Sequence, residues 1–235
     1  MFVFDPTWFL FMVPPFIFMI YAQARVYSAF KKYSRVANMQ RLSGVEAAES
    51  LLRAHGLDRV RVERAKGQLT DHYDSRHKVL RLSPEVYSTP SVASLGIVAH
   101  EIGHAVQDKT GYAFLRFRTA LVPAASLGSQ LGWLCIIGGL SLYLIAGAFG
   151  LTVLWIGVFL FAAAVLFSLV TLPVEFNASH RARQMLRSTG LVSAGEYEGA
   201  SAVLSAAALT YVASFFQALA QLLYFVLLAT GLQRR

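Results

Sequence analysis

Apolar residues along this chain fall into two kinds of pattern, long unbroken runs and short periodic ones. The unbroken runs cover Thr7 to Ala24, Leu121 to Ala146, Leu151 to Pro173 and Ala206 to Leu232. Each approaches or exceeds the roughly 20 helical residues that cross the hydrocarbon core of a bilayer. No Asp, Glu, Lys or Arg lies between Arg118 and Glu175, and the two runs inside that stretch are joined only by Gly147-Ala148-Phe149-Gly150. They predict a transmembrane hairpin. Pro14 and Pro15 are expected to bend the first run, which membrane helices tolerate. A cleavable signal peptide is the rival reading of that run, since Ala22-Gln23-Ala24 resembles a cleavage site. The residues before it carry Asp5 and no Lys or Arg, the wrong charge for such a leader, and a retained span is expected.

Between these runs the periodicity changes. Gly44 to His55 puts Ala47, Leu51 and Leu52 on one side of a helix, and Gly56 ends it. Val60 and Val62 alternate with Arg59, Arg61 and Glu63, as in a short strand. Gly67 to Tyr73 and Lys78 to Ser83 read as the arms of a hairpin turning at Asp74-Ser75-Arg76. Ser91 to Gly111 carries apolar residues at helical spacing, with Pro90 at the first helical position and Ser88 or Thr89 as cap. Arg25 to Ser43 interleaves Lys31, Lys32, Arg35 and Arg41 with aromatic and apolar residues, the pattern of a basic helix lying on a membrane surface. Glu175 to Arg187 is a polar helix closed by Gly190, and a helix starting near Ser193 can run directly into the last span. The prediction is a mostly α integral membrane protein of about four transmembrane helices, with a small α+β cytoplasmic region carrying a short β-sheet. Its expected parts are a first span at 1–26, a cytoplasmic region at 27–118, the hairpin at 119–174, cytoplasmic helices at 175–205 and a last span at 206–235.

Composition narrows the class. The chain is 56% apolar with a mean hydropathy of +0.51, too apolar for an ordinary soluble domain. Its net charge of +8 points to nucleic acid or to an anionic membrane surface. The distribution decides between them. Of the 21 Lys and Arg, 16 lie from Arg25 to Arg118, three from Arg181 to Arg187, and two at Arg234 and Arg235. Four spans put the first two groups on one side, which the positive-inside rule makes the cytoplasm. No nucleic-acid motif accompanies the charge, and no nucleic-acid partner is expected. The single cysteine, Cys135, excludes an intramolecular disulfide and a cysteine-rich metal site.

The candidate chemistry sits in the Ser91–Gly111 helix, at His100-Glu101-Ile102-Gly103-His104. Residues four apart share a helix face, so His100 and His104 can both present an imidazole to one zinc ion. Glu101 lies beside them, in reach of a water on the metal, whose pKa zinc lowers from about 15.7 to about 7. The pattern is short, and two histidines and a glutamate can equally form an ordinary polar face. Here they sit among apolar residues, where they are costly unless something satisfies them. A third ligand is required. The chain leaves this helix, crosses the membrane twice and returns to the same side, and the first charged residue on its return is Glu175. Glu175 can be a first-turn acid favoured by the helix dipole. With an incomplete zinc shell on the same side, it is expected to complete a His-His-Glu set.

Several phrases carry a more specific resemblance. Asp71-His72-Tyr73-Asp74, Leu80-Arg81-Leu82-Ser83, Ala99 to Ala105, Leu172 to Ser179 and Ala206 to Ala213 resemble the YugP-type bacterial membrane zinc metallopeptidases, themselves similar in outline to HtpX-type and CAAX-prenyl proteases. The resemblance implies Zn²⁺ as cofactor, His100, His104 and Glu175 as its ligands, and Glu101 as general base. Two departures stand out. Ser75 occupies a position that is often Pro in the family. Ser179 lies where HtpX-type enzymes have an Asp that supports a zinc-bound His, and a hydroxyl can take that hydrogen bond without the charge.

Four further residues are candidates near the site. His72 and Asp74 can orient substrate or a ligand, or simply serve the turn. His180 can stabilise an oxyanion, or belong to a solvated basic helix with Arg181 and Arg183. Tyr211 can line the site, as the resemblance suggests, or join an interfacial aromatic belt. The expected function is that of a multi-pass zinc endopeptidase of the bacterial cytoplasmic membrane, its active site facing the cytoplasm; the small sheet either binds extended substrate along an edge strand or merely packs on the zinc helix. The partners expected are an unfolded or membrane-associated polypeptide substrate, the lipid bilayer, and a membrane-protein partner or a second copy of the chain. An intramembrane-cleaving protease and a non-catalytic zinc scaffold are the alternatives. Gln107-Asp108-Lys109, polar and one turn past His104, argues for a surface site over an intramembrane one. A transporter lacks the ionisable residues a pathway through the spans would need.

Overall fold

A computed structural model describes residues 6–234. The first five positions of the expected 1–26 span and the final Arg235 lie outside the described residues. The chain forms seven helices and three strands among the described residues: α1 (Pro6–Tyr33), α2 (Gly44–Ala54), β1 (Arg61–Arg64), β2 (His72–Asp74), β3 (Val79–Leu82), α3 (Pro84–Ser88), α4 (Val92–Lys109), α5 (Ala113–Ala146), α6 (Ala148–Ser188) and α7 (Ala194–Gln233). Four of them, α1, α5, α6 and α7, are long and apolar enough to cross a membrane. The chain is thus a mostly helical membrane protein with a small sheet.

It divides into two compact units. Among the described residues, the first comprises the chain up to Tyr21, Arg116–Leu172 and the chain from Tyr211 onward. Its apolar core includes Met12, Ile136, Val158, Phe161, Tyr224 and Phe225. Trp133, Phe161 and Phe225 meet edge to face, with ring centroids 5.3 to 6.5 Å apart, the arrangement that aromatic quadrupoles favour. The expected hairpin is present as α5 and α6, and a single residue, Gly147 (φ 46°), connects them. Glycines let its two helices touch: a Cβ on Gly139 would lie 2.4 Å from the Leu154 backbone nitrogen. Lipid gives no hydrophobic reason for helices to associate, so such close backbone packing takes its place.

The second unit comprises Ala22–Leu115 and Pro173–Thr210. Its core gathers Leu51, Leu80, Leu82, Leu95, Ile102 and Leu186 from α2, β3, α4 and α6. The capping box that starts α2 is complete. Ser43 accepts from the Glu46 N–H, and the Glu46 carboxylate accepts from the Ser43 N–H. β2 and β3 form the expected antiparallel hairpin, but its first arm is ordered as strand only over His72–Asp74. β1 lies parallel to β3, giving the order β1-β3-β2 and leaving β2 as an edge.

Three expectations change. Arg25 to Tyr33 is no separate surface helix but the continuation of α1, and the chain from Ser34 to Ser43 is largely non-helical. That segment holds the start of α4: the Val36 carbonyl accepts from the Val92 N–H, and the Pro90 carbonyl accepts from the Asn38 N–H. The cap of α4 is Ser91, whose hydroxyl accepts from the Ser94 N–H, so Pro90 stands before the helix rather than in it. The polar helix beginning at Glu175 is not separate either. Pro173 sits inside α6, which runs unbroken to Ser188.

Candidate metal centre

The second unit brings the motif and the distant glutamate together. His100 and His104 lie one turn apart on α4, their rings 4.8 Å apart between centroids. Glu175, from α6, is only 1% exposed, and its Oε2 lies 3.2 Å from His100 Nε2 and 3.4 Å from His104 Nε2. One donor atom from each of the three residues falls within 4.8 Å of the others, so the group could hold a metal ion. Two ligands at about 2.1 Å on a tetrahedral centre stand about 3.4 Å apart, close to the two nitrogen–oxygen distances here. The donor set, two imidazoles and one carboxylate, is of the kind zinc accepts.

Glycine makes this convergence possible. A Cβ on Gly103 would fall 2.6 Å from the Ala178 carbonyl oxygen. Without a side chain there, α4 lies directly on the stretch of α6 that carries Glu175 and Ser179. The outward ring nitrogens of both histidines then find partners. Ser179 Oγ lies 3.2 Å from His100 Nδ1, and Gln107 Oε1 lies 3.0 Å from His104 Nδ1. Such partners orient ligating imidazoles.

Glu101 is buried, and its Oε2 accepts a 3.0 Å hydrogen bond from the Tyr73 backbone N–H on β2. The sheet's exposed edge is therefore turned toward Glu101. Tyr73 is fixed from its other end, where its hydroxyl donates to Asp108 at 2.7 Å and Lys78 also pairs with Asp108. Burial pushes the Glu101 carboxyl above the usual range; His100 and His104 pull against that rise, while Glu175 and Asp71 add to it. Burial would lower the His104 pKa, but the Glu175 carboxylate, Glu101 and Gln107 outweigh it and raise it overall. Burial also raises Tyr73, and Asp108 adds to it. Asp71, half-buried beside Ser83, is raised by desolvation against the two hydrogen bonds Ser83 gives it.

Asp74 accepts from the Arg76 and His77 N–H groups and pairs with the His77 ring and Arg81, which hold its carboxyl well below the ordinary range. His72 is exposed, with Nδ1 2.8 Å from the Thr70 carbonyl. His180 is exposed on α6. Tyr211 is half-buried on α7 and belongs to the first unit. What the sequence reading missed is the placement of Gln107. It is fully buried rather than part of a polar surface. Its position three residues after His104, on the same helix face, was the available signal.

A largely buried His-His-Glu cluster beside a held glutamate, in a chain with four spans, defines a class of membrane zinc protein. Residues 8–230 match the family described as "Putative neutral zinc metallopeptidase", and the chain belongs to that family, whose cofactor is Zn²⁺. It is 42% identical over 208 residues to "Putative membrane protease YugP" of Bacillus subtilis (strain 168), covering 88% of this chain and 90% of that protein. No solved structure matches.

Proposed function

We propose that this chain is a zinc-dependent endopeptidase that hydrolyses peptide bonds at the cytoplasmic face of the cell membrane, with Glu101 as its general base. The observation that carries the proposal is the convergence of His100, His104 and Glu175 beside a Glu101 whose carboxylate is already oriented by the Tyr73 N–H. His100 and His104 would hold zinc through Nε2 and Glu175 through a carboxylate oxygen. Zinc bound there supplies an electrophile for the substrate carbonyl and lowers the pKa of water. Glu101 takes the proton of the attacking water and passes it to the leaving amine. Tyr73 fixes one carboxylate oxygen, which leaves Oε1 for the proton. His72, Asp74, His180 and Tyr211 receive no step in this mechanism.

The edge position of β2 supports an extended polypeptide as substrate lying alongside it, with the Tyr73 N–H kept on Glu101. The cytoplasmic assignment rests on charge: with four spans, 19 of 21 Lys and Arg share the side of the metal ligands. Metal analysis of the purified chain tests the reading together with turnover. Wild type and Glu101→Gln retain zinc, Glu175→Ala loses it, and only wild type hydrolyses peptide. Zinc retained by Glu175→Ala, or turnover by Glu101→Gln, contradicts the assignments.

A further inference from the structure

The hydrogen bonds around Gln107 have only one consistent direction. Its Nε2 lies 2.8 Å from the Val174 carbonyl oxygen, which can only accept. Nε2 also lies 3.0 Å from Asn177 Oδ1, and that oxygen is identified by Arg181, whose Nε–H donates to it at 2.8 Å. Arg has no acceptor to offer. The Gln107 amide is therefore fixed with its NH₂ toward α6, and Oε1 must face His104. An amide oxygen only accepts, so the ring nitrogen 3.0 Å away, Nδ1, carries a hydrogen. The lone pair of neutral His104 is then on Nε2, the atom that faces Glu175. His100 is held differently. Its Nδ1 meets the Ser179 hydroxyl, which can donate or accept and so imposes no tautomer.

We infer that Gln107 is a positioning residue for the metal centre: it sets the tautomer and ring orientation of His104 and ties that ligand to Val174, the residue immediately before Glu175. The second and third ligands are thereby fixed relative to each other before metal arrives. Gln107 is fully buried and all its amide partners are internal, so it has no competing role at a surface. It touches neither substrate nor metal. The inference rests on the zinc-site reading.

The test measures zinc affinity of the full-length chain in detergent by competition with a chelator, in wild type, Gln107→Met and Gln107→Glu. Methionine keeps the volume and offers His104 no acceptor. Glutamate keeps one. Ionised, it accepts from Nδ1–H; protonated, it also donates to Val174 as the amide does. Gln107→Met is expected to bind zinc about 10- to 100-fold more weakly, while Gln107→Glu stays near wild type. At saturating zinc, kcat falls in Gln107→Met and KM does not move. Equal affinity of Gln107→Met and wild type overturns the inference, as does a Gln107→Glu that is as weak as Gln107→Met. If Gln107→Met is not monodisperse, Gln107→Asn takes its place, because it keeps a buried amide but withdraws the oxygen from His104. A wild type that binds no zinc removes the site itself, a failure distinct from unchanged affinity in the variants.

Discussion

At the scale of single residues, the site is defined by which atoms face which. Glu101 and Glu175 are both buried glutamates near two histidines, yet their settings differ. Glu175 Oε2 approaches both ring nitrogens. Glu101 instead takes a backbone N–H. The first arrangement suits a ligand and the second a base. Glu101→Gln keeps the size and the bond to Tyr73 and removes only basicity, so kcat is expected to fall by about 10²- to 10⁴-fold, read in a steady-state peptidase assay with bound zinc unchanged. Much of this was legible in the sequence. The spacing of His100 and His104 is a helix property, and Glu175 followed from counting spans. Gln107 was passed over, because three polar letters in a row read as surface even though the first of them stands three residues after His104 on the same helix face. The packing of α4 on α6 shows that it points inward.

At the scale of elements, the contact between α4 and α6 at Gly103 sets the site. In an isolated helix, Gly→Ala would stabilise by about 1 kcal/mol. Here the added methyl would meet the Ala178 carbonyl oxygen at 2.6 Å. Gly103→Ala is therefore expected to destabilise by about 1 to 3 kcal/mol and to weaken zinc binding, both measurable by thermal melts with and without zinc. An unchanged or raised melting temperature would show that the two helices need no such approach. The β2–β3 hairpin makes a pH-dependent prediction. The Asp74 pKa is depressed in the folded chain, so its stabilisation is present above the usual value of about 3.9 and is lost as pH falls through the lower folded value. The gap in melting temperature between wild type and Asp74→Asn should be widest above about pH 4 and close as the pH drops. The hairpin itself was visible in the alternation of Val79 to Leu82. The parallel pairing of β1 with β3 was not, since two valines in a short run do not say which neighbour they join. The join of the basic segment onto α1 was also hidden, because a helix crossing from apolar to charged sequence keeps its backbone bonds while its composition changes.

At the scale of the whole molecule, charge and span count fix the proposed orientation. Reporter fusions check it: alkaline phosphatase placed at Gly147 or after Gln233 is expected to be active, and a fusion within Gly67–Thr70 inactive. The reverse pattern would put the metal ligands on the outer side. The central claim is hydrolysis itself, and the most direct measurement is of new chain ends. Purified wild type and Glu101→Gln, each loaded with zinc in detergent, are incubated with a mixture of unfolded and membrane-derived polypeptides, and mass spectrometry reads the termini that appear. New termini are expected with wild type alone, abolished by a chelator and restored by zinc. Zinc bound to both proteins with no new termini from either would contradict that claim and leave a metal site that serves structure rather than catalysis.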